Sequence, residues 1–415
     1  MKKRKIELLS PVGSFDCLQA AIDAGADAIY FGVEQLNMRT RSSNSFSIKD
    51  IAEISTRCRS NSIKSYITLN TVMYEHDMQL LKSILLEVKK QGIDAVIASD
   101  FSVIEYCRQF QIPLNISTQA NVSNIEAVQF FSSFSDVVVL ARELTLKQIE
   151  NICKEINRKK IKGVSGELIK VEVFVHGALC MAISGKCYLS LHTQNASANR
   201  GACVQNCRRP YIVKDAETNE ELLIDHKYVM SPKDLCTIGL LDQVINSGVS
   251  ILKIEGRTKG ADYVYTTTRC YKEAIQAIEN NQYTGEKTAE WMQCLSTVYN
   301  RGFWEGYYLG RKLGEWTPHP GSAATERKIY IGKGSKYYSK INIAEFLVET
   351  GNIKAGDTLM VSGPLCGMVK KIPERLIVNG CENKEAMKGD KITFPFTVKI
   401  GSKDKLYKII KVVNE

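Results

Sequence analysis

From Ile6 to Arg257 the chain alternates short apolar runs with segments of helical period. The runs are 6–13 (IELLSPVG), 28–34 (AIYFGVE), 64–70 (KSYITLN), 95–100 (AVIASD), 114–121 (LNISTQAN), 137–143 (VVVLARE), 171–177 (VEVFVHG) and 251–257 (ILKIEGR). Between them lie amphipathic stretches such as FDCLQAAIDAG, IKDIAEISTRCRSN and LLKSILLEVKKQG, with further helices predicted at 145–158 and 234–248. Strands alternating with single helices predict a parallel sheet. Eight such units are what a TIM-like (β/α)8 barrel needs. The alternative, an open doubly wound sheet, finds no GxGxxG after the first strand to support it. One interval breaks the rule. After the seventh strand comes a long polar loop, about 178–236, rich in Ser, Asn, Gly and Arg. Loops of that length inside a compact domain are commonly functional or disordered.

Past the eighth strand, ADYVYTTTRCYKEAIQAIEN and EKTAEWMQCLS read as two more helices, which completes a first domain at residues 1–310. Residues 311–327, with Pro318 and Pro320, read as a linker. From 328 to 415 the period shortens to two (KIYIGKG, IAEFLVET, DTLMVSG, GMVKKI, KITFPF), with Gly-Asp turns at 356–357 and 389–390. This predicts a small all-β barrel.

Composition adds three constraints. The 415 residues are 44% apolar and 24% charged, ordinary values for a globular protein. No apolar run approaches the 18 residues of a membrane-spanning helix, and MKKRKIELLSPVG is too short in its apolar part for a signal peptide. A cytoplasmic protein with reduced cysteines is therefore expected. The formal charge of +10 fits a polyanionic partner, and residues 328–415 carry 16 Lys and Arg against 9 Asp and Glu. Within them KGSKYYSK mixes Lys333, Lys336 and Lys340 with Tyr337 and Tyr338, the composition of a phosphate-binding and base-stacking surface or of a solubilised hairpin.

Active sites of such barrels form at the C-terminal ends of the strands. Glu34, Asn70, Asp100, Gln119, Arg142, Glu143, His176, Glu255 and Arg257 collect there, and Arg39 and Arg41 follow the second strand. The guanidinium groups suit bidentate binding of carboxylate or phosphate. Glu34, Asn70 and Gln119 add polar substrate contacts. His176, Glu143 and Glu255 are the titratable groups expected to move protons near the loop. The ordinary reading of each alone is a strand cap bonded to loop backbone.

Four of the 13 cysteines, Cys180, Cys187, Cys203 and Cys207, fall in the loop with six, fifteen and three residues between them. An odd total and a reducing compartment argue against a disulfide framework. Only the last pair has the spacing of a zinc knuckle, whereas irregular loop-borne thiolates suit an iron–sulfur cluster. Buried inert thiols are the remaining reading. Cys17, Cys58, Cys107, Cys153, Cys270 and Cys294 fall on helical patterns and read as packing residues, while Cys366 and Cys381 lie in the β region with no partner motif. HExxH and GxSxG are both absent.

The stretch EVFVHGALCMAISGKCYLS, through Glu172, Phe174, Gly177, Cys180, Gly185, Cys187 and Ser190, resembles the signature of the U32 peptidase family. RGACVQNCRRPY, SPKDLC and KIEGR resemble that family's further blocks. The resemblance implies one of two activities. Some members are described as collagen-degrading proteases, and others are iron–sulfur proteins that hydroxylate RNA bases or a quinone precursor without molecular oxygen. In layout the chain is most similar to the group forming 5-hydroxyuridine at the tRNA wobble position. That implies a 4Fe–4S cluster, prephenate as co-substrate, tRNA as partner and a hetero-complex with a related family member. The family pattern places the ligands at Cys180, Cys187, Cys203 and Cys236, with Cys207 as the substitute. A non-catalytic RNA-binding assembly subunit is the third class.

Overall fold

The computed structural model describes residues 5–39, 46–212, 214, 216–218, 230–310, 314–318 and 321–412. Eight parallel strands form the sequence-predicted barrel: β1 (Glu7–Pro11), β2 (Ala28–Phe31), β3 (Lys64–Thr68), β4 (Ala95–Ala98), β5 (Leu114–Ile116), β6 (Val137–Val139), β7 (Lys170–Gly177) and, after a short antiparallel β8 (Asp234–Cys236), β9 (Ile251–Ile254). The ring closes because β9 pairs in parallel with both β7 and β1, Glu7 opposite Ile251. Helices α1 (Phe15–Asp23), α2 (Ile51–Ser60), α3 (Met78–Gln91), α4 (Phe101–Phe110), α5 (Ile125–Ser132) and α6 (Leu146–Lys159) follow the first six strands. In α6 the apolar positions Ile149, Ile152, Cys153 and Ile156 repeat at three and four residues and bury one face, and a capping box between Thr145 and Gln148 fixes its start.

The interval after β7 departs from the expectation. A short helix α7 (Leu189–Gln194) sits in the loop, and residues 234–236 are not the start of a helix but β8. That strand runs antiparallel to the end of β7, with Cys236 opposite His176. The following helix α8 is shorter than predicted (Leu241–Asn246). Helices α9 (Ala261–Glu279) and α10 (Gly285–Ser296) and the two-residue strand β10 (Phe303–Trp304) complete this half, β10 pairing with β8.

The C-terminal module is all-β. Its main antiparallel sheet runs from the strand Gly367–Lys371 through Leu359–Gly363, Lys405–Lys411, Glu326–Tyr338, Ile343–Val348, Lys391–Pro395 and Leu376–Val378 to Cys381–Asn383. A separate core built on Phe346, Phe394 and Phe396 fills it. The module is not tethered loosely. Met360 and Met368 belong to the barrel's own core cluster, Arg57 donates to the Pro364 carbonyl at 2.8 Å, and Lys328 pairs with Asp262 at 2.6 Å. Part of the expected linker is also anchored, since Thr317 is buried and its amide bonds the Ser231 carbonyl at 2.9 Å. No helix among the described residues is long and apolar enough to cross a membrane.

Candidate active site at the barrel mouth

At the C-terminal end of the barrel a cavity of about 170 Å³ opens under the cysteine loop. Its floor is built by alternation. On β7, Glu172 and Phe174 point inward, and on β9 Lys253 does, so Lys253 meets Glu172 at 2.7 Å as a buried ion pair beneath the cavity. The Lys253 ammonium also stands 4.6 Å from the Tyr30 ring centroid.

Glu255 and Arg257 extend from the end of β9. The Glu255 carboxylate accepts from Arg39 at 2.7 Å and from the Tyr30 hydroxyl at 3.2 Å. Burial opposes its charge, but Arg39, Arg142 and Arg257 outweigh that and hold it down at about 2. It is a fixed anion that organises arginines, not the proton-transfer group expected from its place in the chain. Arg257 is buried and donates to Thr68 Oγ1 at 2.5 Å and Asn37 Oδ1 at 3.2 Å. Gly32 makes room for it, because a Cβ there would lie 2.7 Å from Arg257 Nη1 and 2.5 Å from Asn37 Cγ. Arg142 lies 3.7 Å above the Phe174 ring centroid and bonds the Ala178 carbonyl at 3.0 Å, and Arg208 bonds the Leu179 carbonyl at 2.8 Å. Each of these last three guanidinium groups keeps one buried nitrogen with no hydrogen-bond partner among the described residues: Arg257 Nε, Arg142 Nε and Arg208 Nη1. Buried donors in that state are rare in folded proteins, and here all three belong to residues lining one cavity.

Asn70 and Gln119 also line the cavity, as expected from their strand ends. Two expected residues take other places, and a third is not described. Glu34 is turned outward and accepts from the Ile48 amide at 3.1 Å, capping the next helical turn. Glu143 is exposed and borders a neighbouring cleft with Trp304 and Trp316. Arg41 lies outside the described residues.

His176 is a clearer correction. Alternation from Glu172 and Phe174 would aim it into the cavity, but the register between β7 and β9 slips by one residue between Phe174 and His176. A bulge inverts the side-chain direction. The imidazole is 2% exposed, packed against Tyr263, Tyr271 and Phe303, and burial pushes its pKa down to about 3. It stays neutral and lines neither cavity wall. The chain leaves β7 at Gly177 with φ +104, where a Cβ would sit 2.4 Å from the Glu255 carbonyl oxygen.

Cys180, Cys203 and Cys207 line the cavity, and Cys207 lies within electrostatic reach of Cys180, Cys187 and Cys203. Cys180 is exposed and the other three are half-buried. The loop is pinned beside them. Arg200 pairs with Asp77 and stacks 4.1 Å over Tyr74, Val72 N bonds Asn199 O at 3.1 Å, and Asn199 Oδ1 accepts from Cys187 N at 3.3 Å. Cys236 stands apart from this group. It is 4% exposed in the barrel core beside Tyr271, because β8 is held against β7. The four thiols that share the loop fit a four-thiolate cluster in number and chemistry, and Cys207 lies nearer to the other three than its place as a substitute ligand implied. Among the described residues no three Cys, His, Asp or Glu side chains are already gathered as a metal site.

Lys259 and Arg301 also line the cavity, and nothing in the strand pattern marked them. Both lie beyond strand ends, in segments without period. Burial, together with Arg301 and Arg208, outweighs Asp234 and Glu255 and brings the Lys259 ammonium down to about 7. Its Nζ stands 3.0 Å from the Tyr299 ring centroid.

The profile of peptidase family U32 matches residues 13–318. The chain belongs to that family. Among U32-related proteins, a protein named collagenase from Porphyromonas gingivalis is 48% identical over 99% of both chains. The tRNA hydroxylation protein P1 of Bacillus subtilis is 33% identical over 74% of this chain and 72% of its own length. The 23S rRNA 5-hydroxycytidine C2501 synthase of Escherichia coli is 35% identical over 67% of this chain and 40% of its own. The solved structure of a U32 peptidase is 11% identical, covers 62% of this chain and 95% of its own, and overlaps with a TM-score of 0.39.

Proposed function

We propose that this U32 protein is an RNA hydroxylase acting without molecular oxygen, with a 4Fe–4S cluster on Cys180, Cys187, Cys203 and Cys207 and a tRNA uridine as substrate. One observation carries the reading. Three buried arginine nitrogens without partners among the described residues belong to side chains lining a cavity that three of the loop cysteines also line. A cavity so made takes a small anion with two or more acidic groups, such as prephenate, beside a thiolate-bound cofactor. The relatives named for tRNA and rRNA hydroxylation support the RNA substrate.

When bound, the cluster would supply one-electron chemistry that side chains lack. The chain's own residues bind and orient. Arg257, Arg142 and Arg208 hold the anion's oxygens, Glu255 fixes Arg39 in place, and Lys259 is the group at the wall able to exchange a proton near neutral pH. The basic β module, with Lys336 and Lys340 exposed, would add sequence-independent attraction for RNA phosphates. Its two tyrosines are less available than their spacing suggested, since Tyr338 bonds Glu345 at 3.2 Å and Tyr337 packs on the module core. Lys333 is likewise paired, with Glu349 at 2.7 Å.

The second reading is peptidase activity, and the 48% identical protein named collagenase favours it. A cysteine protease needs a base beside its thiolate. His176, the base nearest in sequence to Cys180, is turned into an aromatic pocket and held neutral. Neither described cleft at the mouth is lined by a histidine.

Anaerobic purification with iron and sulfide counts, followed by nucleoside mass spectrometry of tRNA from a strain lacking this gene and related hydroxylases, tests the reading. Loss of 5-hydroxyuridine derivatives, restored by the native gene and not by Cys180→Ala, is expected. A colourless protein that cleaves collagen and leaves tRNA nucleosides unchanged would overturn it.

A further inference from the structure

Beside the anion cavity lies a second cleft that shares Arg142, Leu179, Cys180 and Ser184 with it. One wall of this cleft is aromatic. Trp304 of β10, Tyr307 and Trp316 converge there on Gly314. A Cβ at Gly314 would stand 3.7 Å from Trp304 Cη2, from Trp316 Cζ2 and from the Tyr307 hydroxyl oxygen, so the bare backbone leaves a gap between the three rings. Trp304 and Tyr307 meet edge to face with centroids 5.3 Å apart. Glu143, beyond the end of β6, and Met181 of the cysteine loop are the exposed parts of the rim.

The aromatic wall is held by backbone. Trp304 pairs with Leu235 of β8, and its indole N–H donates to the Lys233 carbonyl at 3.2 Å. Trp316 forms an antiparallel bridge with Pro232. On either side of it the Lys233 amide donates to the Glu315 carbonyl and the Thr317 amide to the Ser231 carbonyl, each at 2.9 Å. The Lys233 ammonium closes the tie on the Glu315 carboxylate at 2.8 Å. Two of the chain's three tryptophans are thus fixed beside the mouth, Trp304 buried and Trp316 half-buried. Half-open aromatic faces on a rigid frame are what a base-stacking site requires.

We infer that this cleft takes the target base of a single-stranded RNA loop, stacked on Trp316 and Tyr307 with its polar edge toward Glu143 and Ser184, an inference that rests on the RNA reading above. The ligand class follows from the walls. A cation would suit three rings and a carboxylate, but the Arg142 guanidinium in the same cleft repels it. An aliphatic chain would cover Glu143 and Ser184 without offering them a hydrogen bond. A neutral planar ring satisfies both walls, its face meeting the indole and its N–H and carbonyl groups meeting the carboxylate and the hydroxyl. A base inside a duplex has no free face, so only an unpaired nucleotide turned out of its stack can enter. The shared residues Arg142 and Cys180 make the base cleft and the anion cavity neighbours at the cysteine loop.

The test uses the full-length protein, kept without oxygen, and a tRNA anticodon hairpin with uridine at the wobble position, beside the same hairpin made abasic there. The native protein should bind the uridine hairpin about ten-fold more tightly than the abasic one, and at saturation only the uridine hairpin should quench tryptophan emission. Trp316→Ala should lose that preference and bind the two hairpins alike, whereas Trp316→Phe should keep most of it. Iron content after anaerobic reconstitution and affinity for a dicarboxylate should match the native protein in both variants, which separates the base cleft from the anion cavity. Native binding that ignores the missing base, or a Trp316→Ala protein that still discriminates, would overturn the inference and leave the RNA reading standing. A native protein that binds neither hairpin would overturn both. The comparison of hairpins on native protein needs no variant and stands even where a substitution impairs folding.

Discussion

The molecule has two basic regions built on opposite principles. In the β module the lysines stand on an open sheet surface, and several are neutralised locally, Lys333 by Glu349 and Lys370 by Glu326. At the barrel mouth the cations are buried, crowded and incompletely satisfied, with Glu255 as their shared anion. Screening makes an exposed lysine a weak, diffuse attractor, whereas a buried guanidinium with an orphan donor is a strong, directional one. Net charge by segment points to the module. Strand-end position and the environment of each charge point instead to the mouth.

The largest test of that contrast removes one buried guanidinium. Arg257→Gln should lower kcat/KM for RNA hydroxylation by about 100-fold, because truncation costs a desolvated charge-assisted contact and leaves Thr68 and Asn37 unmatched. Steady-state kinetics on folded variant protein checks it, and a loss under about three-fold would place the anion elsewhere. Next comes the division of cysteines between mouth and core. Cys207→Ser should lose most of its iron and sulfide on anaerobic reconstitution, while Cys236→Ser should retain both and lose only some thermal stability. The opposite result would make Cys236 the fourth ligand.

A smaller effect concerns pH. Lys259 is protonated below about 7 and neutral above it, so the mouth loses one positive charge as pH rises through neutrality. Affinity for a dicarboxylate should therefore weaken between pH 6 and 8, by up to about ten-fold. Lys259→Arg should flatten that profile, measured by calorimetric titration; an unchanged profile would show that Lys259 does not face the anion. The smallest effect belongs to the module. Lys336→Ala with Lys340→Ala should reduce the slope of log affinity for tRNA against log salt by about 0.9 for each lysine engaged on a duplex segment, with kcat unchanged. A fall in kcat would mean that the two basic regions are not separable.

Much of the fold was legible because the barrel repeats one simple signal. Each strand is a short apolar run and each crossover a 3.6-residue period, and the eight runs predicted from residues 6 to 257 all appear in the closed ring. Arg142, Arg257, Asn70 and Gln119 were legible for the same reason, since a strand end on such a barrel has one mouth to face. The cysteine loop stood out because polar sequence without period carried four thiols where no core could form.

Tertiary structure decided the rest through effects that local sequence does not encode. A one-residue slip between β7 and β9 turned His176 from the cavity into an aromatic pocket. An antiparallel pairing of two residues carried Cys236 into the core and left Cys207 with the loop thiols. Glu255 became a fixed anion because three arginines from separate segments converge on it. Periodicity fixes which residues an element presents to its neighbours. Register, and the meeting of distant elements, fix what chemistry those residues can do.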